Sequence, residues 1–529
     1  EAEARSYAEA DPQFTVIEQT AFGEWQVTRK AGAQVRVPRR ATLNRRIGGL
    51  FPTDFDPARW GIPASMLDSI DPIAVWNLVS AVDAFVSAGF SPAELLRVVH
   101  PATVASTQGT GFGGMRSMHK LFVDRFLGED YPQDILQETL PNVVAAHTMQ
   151  SYVGGYGSMI NPVGACATAA VSIEEGVDKI KAGKADFVVA GAIDDIQVES
   201  IVGFGAMNAT ANSNELLARG ISSRFVSRAN DRRRGGFVEA QGGGTVLLTR
   251  ASVALDMNLP VLAVVAHAQT FSDGAHTSIP APGLGALAVA RGGRDSVIAR
   301  NLAELGVGID DVAFVSKHDT STNANDPNES DLHTRVGMAL GRTPGNPLLV
   351  ISQKTLTGHA KGGACVFQVG GIIDVFRTGL IPANVALDCV DDAMEKYSPL
   401  VWLRSPLNLS SRGPVRAAFA TSLGFGHVSG FLALVNPAAF EAIVEREAGR
   451  ERLEAWRAAS DRRLRNGQRH IEMGMLGHAP LFTSVEGRRL PDDPAAGVAG
   501  DAHEVEAAIL LDPNARLGED GFYHLPEGK

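Results

Sequence analysis

Residues 187–192 read FVVAGA, a strand-length run without one polar side chain. A sheet with one face in water alternates apolar and polar residues, so a run of this kind has protein on both sides. A chain built around it must cover a sheet with helices above and below. TVLLT (245–249), VLAVVAHAQT (261–270), DVAFVSKHDT (311–320), LLVISQKT (348–355), RAAFATSLGF (416–425) and FLALVNP (431–437) read as further strands. Helical stretches lie between them. In DPIAVWNLVSAVDAFVSAG (71–89), Asp71 is placed to cap the N-terminus and Pro72 suits the first turn. Val75, Leu78, Val79, Val82, Phe85 and Val86 share one face, and Gly89 ends the helix. Residues 166–182 carry Ala169, Ala170, Ile173, Val177 and Ile180 on one side, and Gly283 to Leu305 is also expected to be helical. The series repeats before and after residue 258, which predicts an α/β protein of two similar halves in one body.

A chain of 529 residues has room for several domains of about 100–200 residues each. Residues 1–44 read as a connector with short strands, FTVIEQ, EWQVTRK and AQVRVP; 45–257 and 258–437 are the two halves. Residues 438–529 form an extension, a charged helix (439–466) and then a Gly/Pro/Asp-rich tail. It is expected to wrap or link and to hold no catalytic residue. The chain opens at Glu1 without a methionine, which reads as a piece of a longer polypeptide or a trimmed one. With 48 basic and 59 acidic side chains the net charge is −11, which argues against nucleic acid as the main partner. No apolar run approaches the roughly 20 residues of a membrane helix. Three cysteines cannot build a disulfide framework, which fits a reducing cytoplasm.

One of those cysteines stands out. In NPVGACATAA (161–170), Cys166 follows Gly164, sits between Ala165 and Ala167, and opens a helical pattern. A helix N-terminus carries unpaired N–H groups and about half a positive charge, which favours a thiolate. Small neighbours leave room for a bulky substrate. That describes an exposed, activated nucleophile; a small buried core residue fits the same stretch. Cys365 and Cys389 lack the pattern and read as structural. Among 13 histidines, His318 in SKHDTSTNANDPNE and His359 in QKTLTGHAKGGA each follow an apolar strand and enter a polar or glycine-rich loop. Such loops are where α/β proteins place catalytic groups. Lys354 lies five residues before His359 and Glu329 eleven after His318, so the two charges could pair.

Together these segments resemble the β-ketoacyl synthase family. GACATAA is similar to its active-site elbow, KHDTST to its His-Gly-Thr-Gly-Thr loop, DPNE to the acidic stretch that follows, and KTLTGHAKGGA to its Lys…Gly-His motif. TSLGFGHVSG (421–430) resembles its Gly-Phe-Gly-Gly gate, and FSDGAHTSIPAPG (271–283) its Asp-x-x-His…Pro segment. The wording of the loops, with GGFVEAQGGG (235–244), looks most like the synthase domain of type I, multi-enzyme fatty acid synthases. The resemblance implies a thiolase-like five-layer αβαβα fold of two pseudo-symmetric halves, and a homodimer within a larger assembly. It also implies an acyltransferase that condenses malonyl-carrier with an acyl chain held on Cys166. His318 and His359 would receive the oxyanion of decarboxylation. The N–H groups of Cys166 and Phe425 would form a second oxyanion hole, and Phe425 would gate the acyl pocket between Gly424 and Gly426. Thr320 and Thr322 would hold the phosphopantetheine arm, and Lys354 paired with Glu329 would steady the histidine loops. The domain itself is expected to bind no cofactor and no metal. Its partners are expected to be an acyl carrier domain, malonyl and acyl thioesters and other synthase domains.

Three departures stand out. Asp319 takes the place of a glycine, His427 replaces the last glycine of the gate, and Ala240-Gln241-Gly242 replaces Gly-Glu-Gly. The strand that opens the family fold is not evident near residue 1. The basic run SSRFVSRANDRRRGG (222–236), with Arg224, Arg228, Arg232, Arg233 and Arg234, suits either an acidic carrier or internal ion pairs. Two alternatives remain open: a polyketide synthase condensing domain, or a non-catalytic scaffold or chain-length partner of a condensing enzyme, although such partners lose the nucleophile and this chain keeps Cys166, His318 and His359. A thiolase would need a second cysteine near the C-terminal glycine loop, and a priming synthase an asparagine at His359.

Overall fold

The computed structural model describes residues 1–33, 43–124, 130–274, 284–485 and 502–525. The chain forms two compact units, Glu1–Asn44 and Arg45–Lys529. The first holds a helix, Ala2–Ala10, and a hairpin of β1 (Thr15–Gln19) and β2 (Trp25–Arg29). The third strand expected there, AQVRVP, falls largely outside the described residues.

Two sheets organise the second unit. One has the order β3 (Val104–Ser106), β4 (Phe187–Asp194), β5 (Gly242–Thr249); β3 and β4 run parallel and β5 antiparallel. The other contains β6 (Val264–Ser272), β7 (Val312–Ser316), β8 (Leu348–Ile351), β10 (Leu400–Trp402), β12 (Ala417–Gly424) and β13 (Val428–Val435). Its order is β10-β8-β7-β12-β13-β6. A small antiparallel pair, β9 (Leu380–Ile381) and β11 (Leu407–Asn408), stands apart. The triplet β7-β12-β13 repeats β3-β4-β5, a parallel pair followed by an antiparallel strand. The two sheets thus share this three-strand pattern. FVVAGA is buried along its whole length in β4, between one parallel and one antiparallel neighbour.

Burial sorts the helices into layers. Ala74, Leu78, Val82 and Phe85 of the helix Pro72–Ser87 pack on Val104, Phe187 and Val189, the outer face of the first sheet. Asp71 caps that helix, its Oδ1 accepting from Ile73 N at 3.0 Å. Ile298, Leu302, Leu332 and Val336 cover the outer face of the second sheet. Between the sheets lie two buried helices, Thr168–Lys181 and Ala364–Thr378. Their Ala169, Ala170, Ile173, Val369 and Ile372 join inward residues of both sheets in one core. The result is helix, sheet, helix pair, sheet, helix.

Two sequence expectations change. The stretch expected to be helical up to Leu305 is broken, with a 3-10 segment Gly285–Ala290 and a helix only at Val297–Glu304; Gly292 and Gly293, both at positive φ, interrupt it. The charged C-terminal helix is two helices, Ala438–Ala448 and Arg450–Met475, hinged at Gly449 with φ +86°. The longer one lies along the first half. Arg463 donates to Gly89 O at 2.9 Å and Met257 O at 3.1 Å, and Trp456 Nε1 donates to Leu259 O at 3.1 Å.

Candidate active site

The two buried central helices begin alike. Each is preceded by a 3-10 turn, Ala165–Ala167 or Lys361–Gly363, and each turn opens on a non-glycine residue in the left-handed region, Ala165 at φ +46° and Lys361 at +48°. Cys166 is the middle residue of the first turn. Gly164 has φ −127°; the strained backbone is one residue later. Thr168 Oγ1 ties the elbow, donating to Ala165 O at 2.8 Å and accepting from Gly164 N at 3.0 Å.

Cys166, His318 and His359 come together. His359 Nε2 lies 3.1 Å from Cys166 Sγ, and the rings of His318 and His359 meet edge to face with centroids 5.2 Å apart. Ligand-type atoms of the three residues all lie within 4.8 Å of one another, the only such trio among the described residues. They are close enough to hold a metal ion, but Lys354 Nζ sits 3.1 Å from His318 Nδ1, and an ammonium there opposes a dication.

Each loop is tied from behind. Glu329 Oε1 accepts from His318 N at 2.5 Å, and its Oε2 accepts from Asp319 N at 2.9 Å and Asn325 Nδ2 at 3.2 Å. Thr421 Oγ1 also donates to Glu329. Lys354 Nζ donates to His318 O at 2.5 Å. Lys354 and Glu329, expected to pair with each other, instead hold His318 from two sides, one on its ring and carbonyl and the other on its amide. Thr320 Oγ1 and Thr322 Oγ1 lie 3.1 Å apart, and Thr322 Oγ1 accepts from Asn325 N at the start of the helix Asn325–Ala339.

The β12–β13 turn covers the sulfur. Gly424 packs so closely that a Cβ there would lie 2.4 Å from Gly164 O and 3.3 Å from Cys166 N. The Phe425 N–H points at the Cys166 sulfur. Gly426 and His427 both take positive φ, +80° and +64°, so the residue replacing the gate glycine keeps a glycine-like backbone. His427 Nδ1 lies 3.5 Å from Asp273 Oδ2. Most of the His…Pro segment that follows Asp273 is outside the described residues.

Burial reverses one expectation. Cys166 is only 7 % exposed, and burial pushes its thiol up to about 11, against the smaller opposing pulls of Lys354, the Phe425 N–H and Lys361. Burial likewise holds His318 and His359 well below the usual imidazole range, with Lys354 adding to it in both. Burial thus favours the neutral thiol over the exposed thiolate that the helix end suggests. Lys354 is itself lowered by burial, opposed first by Glu329. Cys365, in the central helix Ala364–Thr378, is raised to about 12 by burial.

Sequence reasoning missed two parts. Asp194, at the end of β4, accepts from Thr110 Oγ1, Gly111 N and Gly362 N, so it joins the glycine-rich loop of one half to the elbow of the other. Lys361 Nζ reaches Glu239 Oε1 at 3.4 Å. A line of rings also runs over the trio: Phe425 to Phe204 at 5.9 Å, Phe204 to Phe237 at 5.3 Å, and Phe237 to His359 at 5.0 Å. Phe237 also lines a cavity of about 190 Å³ with Arg46, Ile47, Thr210 and Glu239. FVEAQ carried Phe237 in plain view, but only the fold brings it to the histidine. The basic run resolves into internal ion pairs: Arg228 with Asp231 and Asp388, Arg233 with Asp388, and Arg234 with Asp391. Arg224 and Arg232 stay exposed.

Comparison with known proteins agrees with this geometry. The family model described as beta-ketoacyl synthase, N-terminal domain, matches residues 15–254, and that of the C-terminal domain matches residues 262–388. A fatty acid synthase alpha subunit of Emericella nidulans is 36 % identical over 92 % of this chain, and one of Monascus ruber 33 % identical over 94 %. The chain spans 30 % of each of those relatives' own length. Among solved structures, the noncanonical ketosynthase FabY of P. aeruginosa superposes with a TM-score of 0.77 at 23 % identity, covering 89 % of this chain and 73 % of that one, a likeness of fold. The fold is thiolase-like, and the chain belongs to the β-ketoacyl synthase family.

Proposed function

We propose that this chain is the condensing domain of a type I fatty acid synthase, elongating a carrier-bound acyl chain by two carbons. The observation that carries the reading is the 3.1 Å contact of Cys166 Sγ with His359 Nε2, with His318 facing the same space.

In the first half-reaction the sulfur of Cys166 attacks an acyl thioester on the carrier's phosphopantetheine arm. His359 Nε2 takes the thiol proton as attack proceeds and returns it to the departing pantetheine thiolate. Neutral partners suit this, because the ion pair forms only when substrate is engaged. The N–H groups of Cys166 and Phe425 receive the tetrahedral oxyanion. In the second, malonyl-carrier loses CO2 and charge builds on its thioester oxygen. His318 and His359 donate to that oxygen from Nε2. Lys354, as ammonium, occupies Nδ1 of His318 and so leaves its proton on Nε2. His359 Nδ1 has no hydrogen-bond partner among the described residues, so its ring can carry a proton on either nitrogen. The carbanion then attacks the acyl-cysteine carbonyl, the C–S bond breaks, and one proton restores the thiol. Phe425, between Gly424 and the positive-φ Gly426, moves to admit the acyl chain, and Thr320 and Thr322 hold the pantetheine arm.

The family resemblance also supports a homodimer, and Tyr156, Met159, Ile160 and Val163 offer an exposed apolar face for a second copy. An acyl carrier and other synthase domains are the expected partners. Acyl-carrier and malonyl-carrier together should give CO2 and a 3-oxoacyl-carrier two carbons longer than the primer. Decarboxylation without any elongated product from the wild-type chain would refute the proposal.

A further inference from the structure

His318 is flanked by two charges in direct contact. Lys317 Nζ lies 2.7 Å from Asp319 Oδ1, and both side chains are fully buried. The pair spans the backbone of the candidate catalytic histidine. Asp319 is in the left-handed region at φ +39°, a conformation that normally needs glycine, so its side chain must earn its place. It does so through three loops. Asp319 Oδ2 accepts from Ser352 Oγ at 2.5 Å and Asn230 Nδ2 at 2.8 Å. Ser352 lies two residues before Lys354, the side chain that grips His318. Asn230 N donates to Asp326 Oδ2 at 2.8 Å, at the head of the helix that carries Glu329. Lys317 Nζ closes the network on Asn230 Oδ1 at 3.1 Å, Ser330 Oγ at 3.0 Å and Asp326 O at 3.3 Å.

We infer that Lys317 and Asp319 are positioning residues: their buried ion pair, tied through Ser352 to the turn bearing Lys354, fixes His318 and thereby its oxyanion-binding Nε2. This rests on the condensing-enzyme reading. Removing one charge from such a buried cluster leaves the others less well compensated. Asp319→Gly suits the backbone but removes the carboxylate nearest Lys317, leaving Glu329 and Asp326 as its counter-charges, and cuts the tie to Ser352 behind His318. It should slow malonyl-carrier decarboxylation at least tenfold while acyl transfer to Cys166, which does not use His318, stays within about twofold. Ser352→Ala, a milder change with both charges kept, should slow decarboxylation a few-fold and leave acylation alone.

The assay follows both half-reactions separately on the full-length protein, with malonyl-carrier decarboxylation read as CO2 and Cys166 acylation read by mass. The inference is overturned if Asp319→Gly and Ser352→Ala decarboxylate at the wild-type rate, or if both half-reactions fall in equal proportion. Should Asp319→Gly fail to fold, Ser352→Ala decides alone by the same split. A wild-type chain that performs neither half-reaction overturns the condensing-enzyme reading itself, a different result from any of these.

Discussion

The two elbows that open the central helices share a backbone and differ in everything attached to it. Both place a non-glycine residue near φ +47° ahead of a 3-10 turn and a buried helix, Ala165 in one half and Lys361 in the other. At the next position the first half has Cys166 and the second has Gly362. The first elbow is apolar, with alanines on either side of the thiol. The second is charged, with Lys361 on Glu239 and Gly362 N donating to Asp194. Repetition thus supplied one shape twice, and the halves divided the labour. One presents the nucleophile; the other, three residues after His359, holds the histidine loop to the first sheet through Asp194.

That division can be broken at either elbow. The largest effect belongs to Cys166→Ala, which should abolish elongation and all acyl transfer while malonyl decarboxylation persists, since the histidines remain; a product assay and a CO2 assay separate the two. Next come His318→Ala and His359→Ala. Each removes one donor to the developing oxyanion and should slow decarboxylation by about 10²–10³-fold, or about 3–4 kcal/mol. Normal decarboxylation in both would refute their roles.

Gly362→Ala tests whether the second elbow could ever have carried a side chain. A Cβ there would lie 2.7 Å from Asp194 Oδ2 and 3.0 Å from Thr168 Cβ. The expected loss is about 1–3 kcal/mol in denaturant unfolding, as for overpacking; an unchanged midpoint would mean the contact relaxes freely. A subtler test concerns the thiol. Its value is raised, so the thiolate fraction increases only as pH climbs past the ordinary 9.0 towards about 11. Alkylation of Cys166 by iodoacetamide should keep rising through that range. A plateau near neutral pH would restore the dipole-activated thiolate. Smallest of all, Ala165→Gly relieves the left-handed strain at the first elbow and should change stability by less than about 1 kcal/mol, in the stabilising direction, because the glycine's own entropy offsets part of the gain.

Much of this was legible in the sequence, for a local reason. Cys166, His318 and His359 each sit where an apolar strand or helix meets small residues, and that signal is contained within about ten positions of chain. The two-half layout followed from strand-length apolar runs that recur, and the cap at Asp71 from three adjacent letters. What the sequence did not disclose depends on residues far apart. Asp194 meets Gly362 across 168 positions, and Asn230 meets Asp319 across 89. No periodicity marks such a pair. The burial of the thiol was hidden for the same reason: the helix end is local, whereas Ser422, which donates to Cys166 O, lies 256 positions away. The basic run was ambiguous for the same reason: two of its aspartate partners, Asp388 and Asp391, lie far downstream.

The most direct measurement is acyl mass on Cys166. The wild-type chain, incubated with an acyl-carrier thioester, quenched in acid and digested, should yield the peptide around NPVGACATAA heavier by one acyl group, with the added mass removed by hydroxylamine and absent from Cys166→Ala. A folded chain that never gains that mass, or gains it at another residue, would contradict the account.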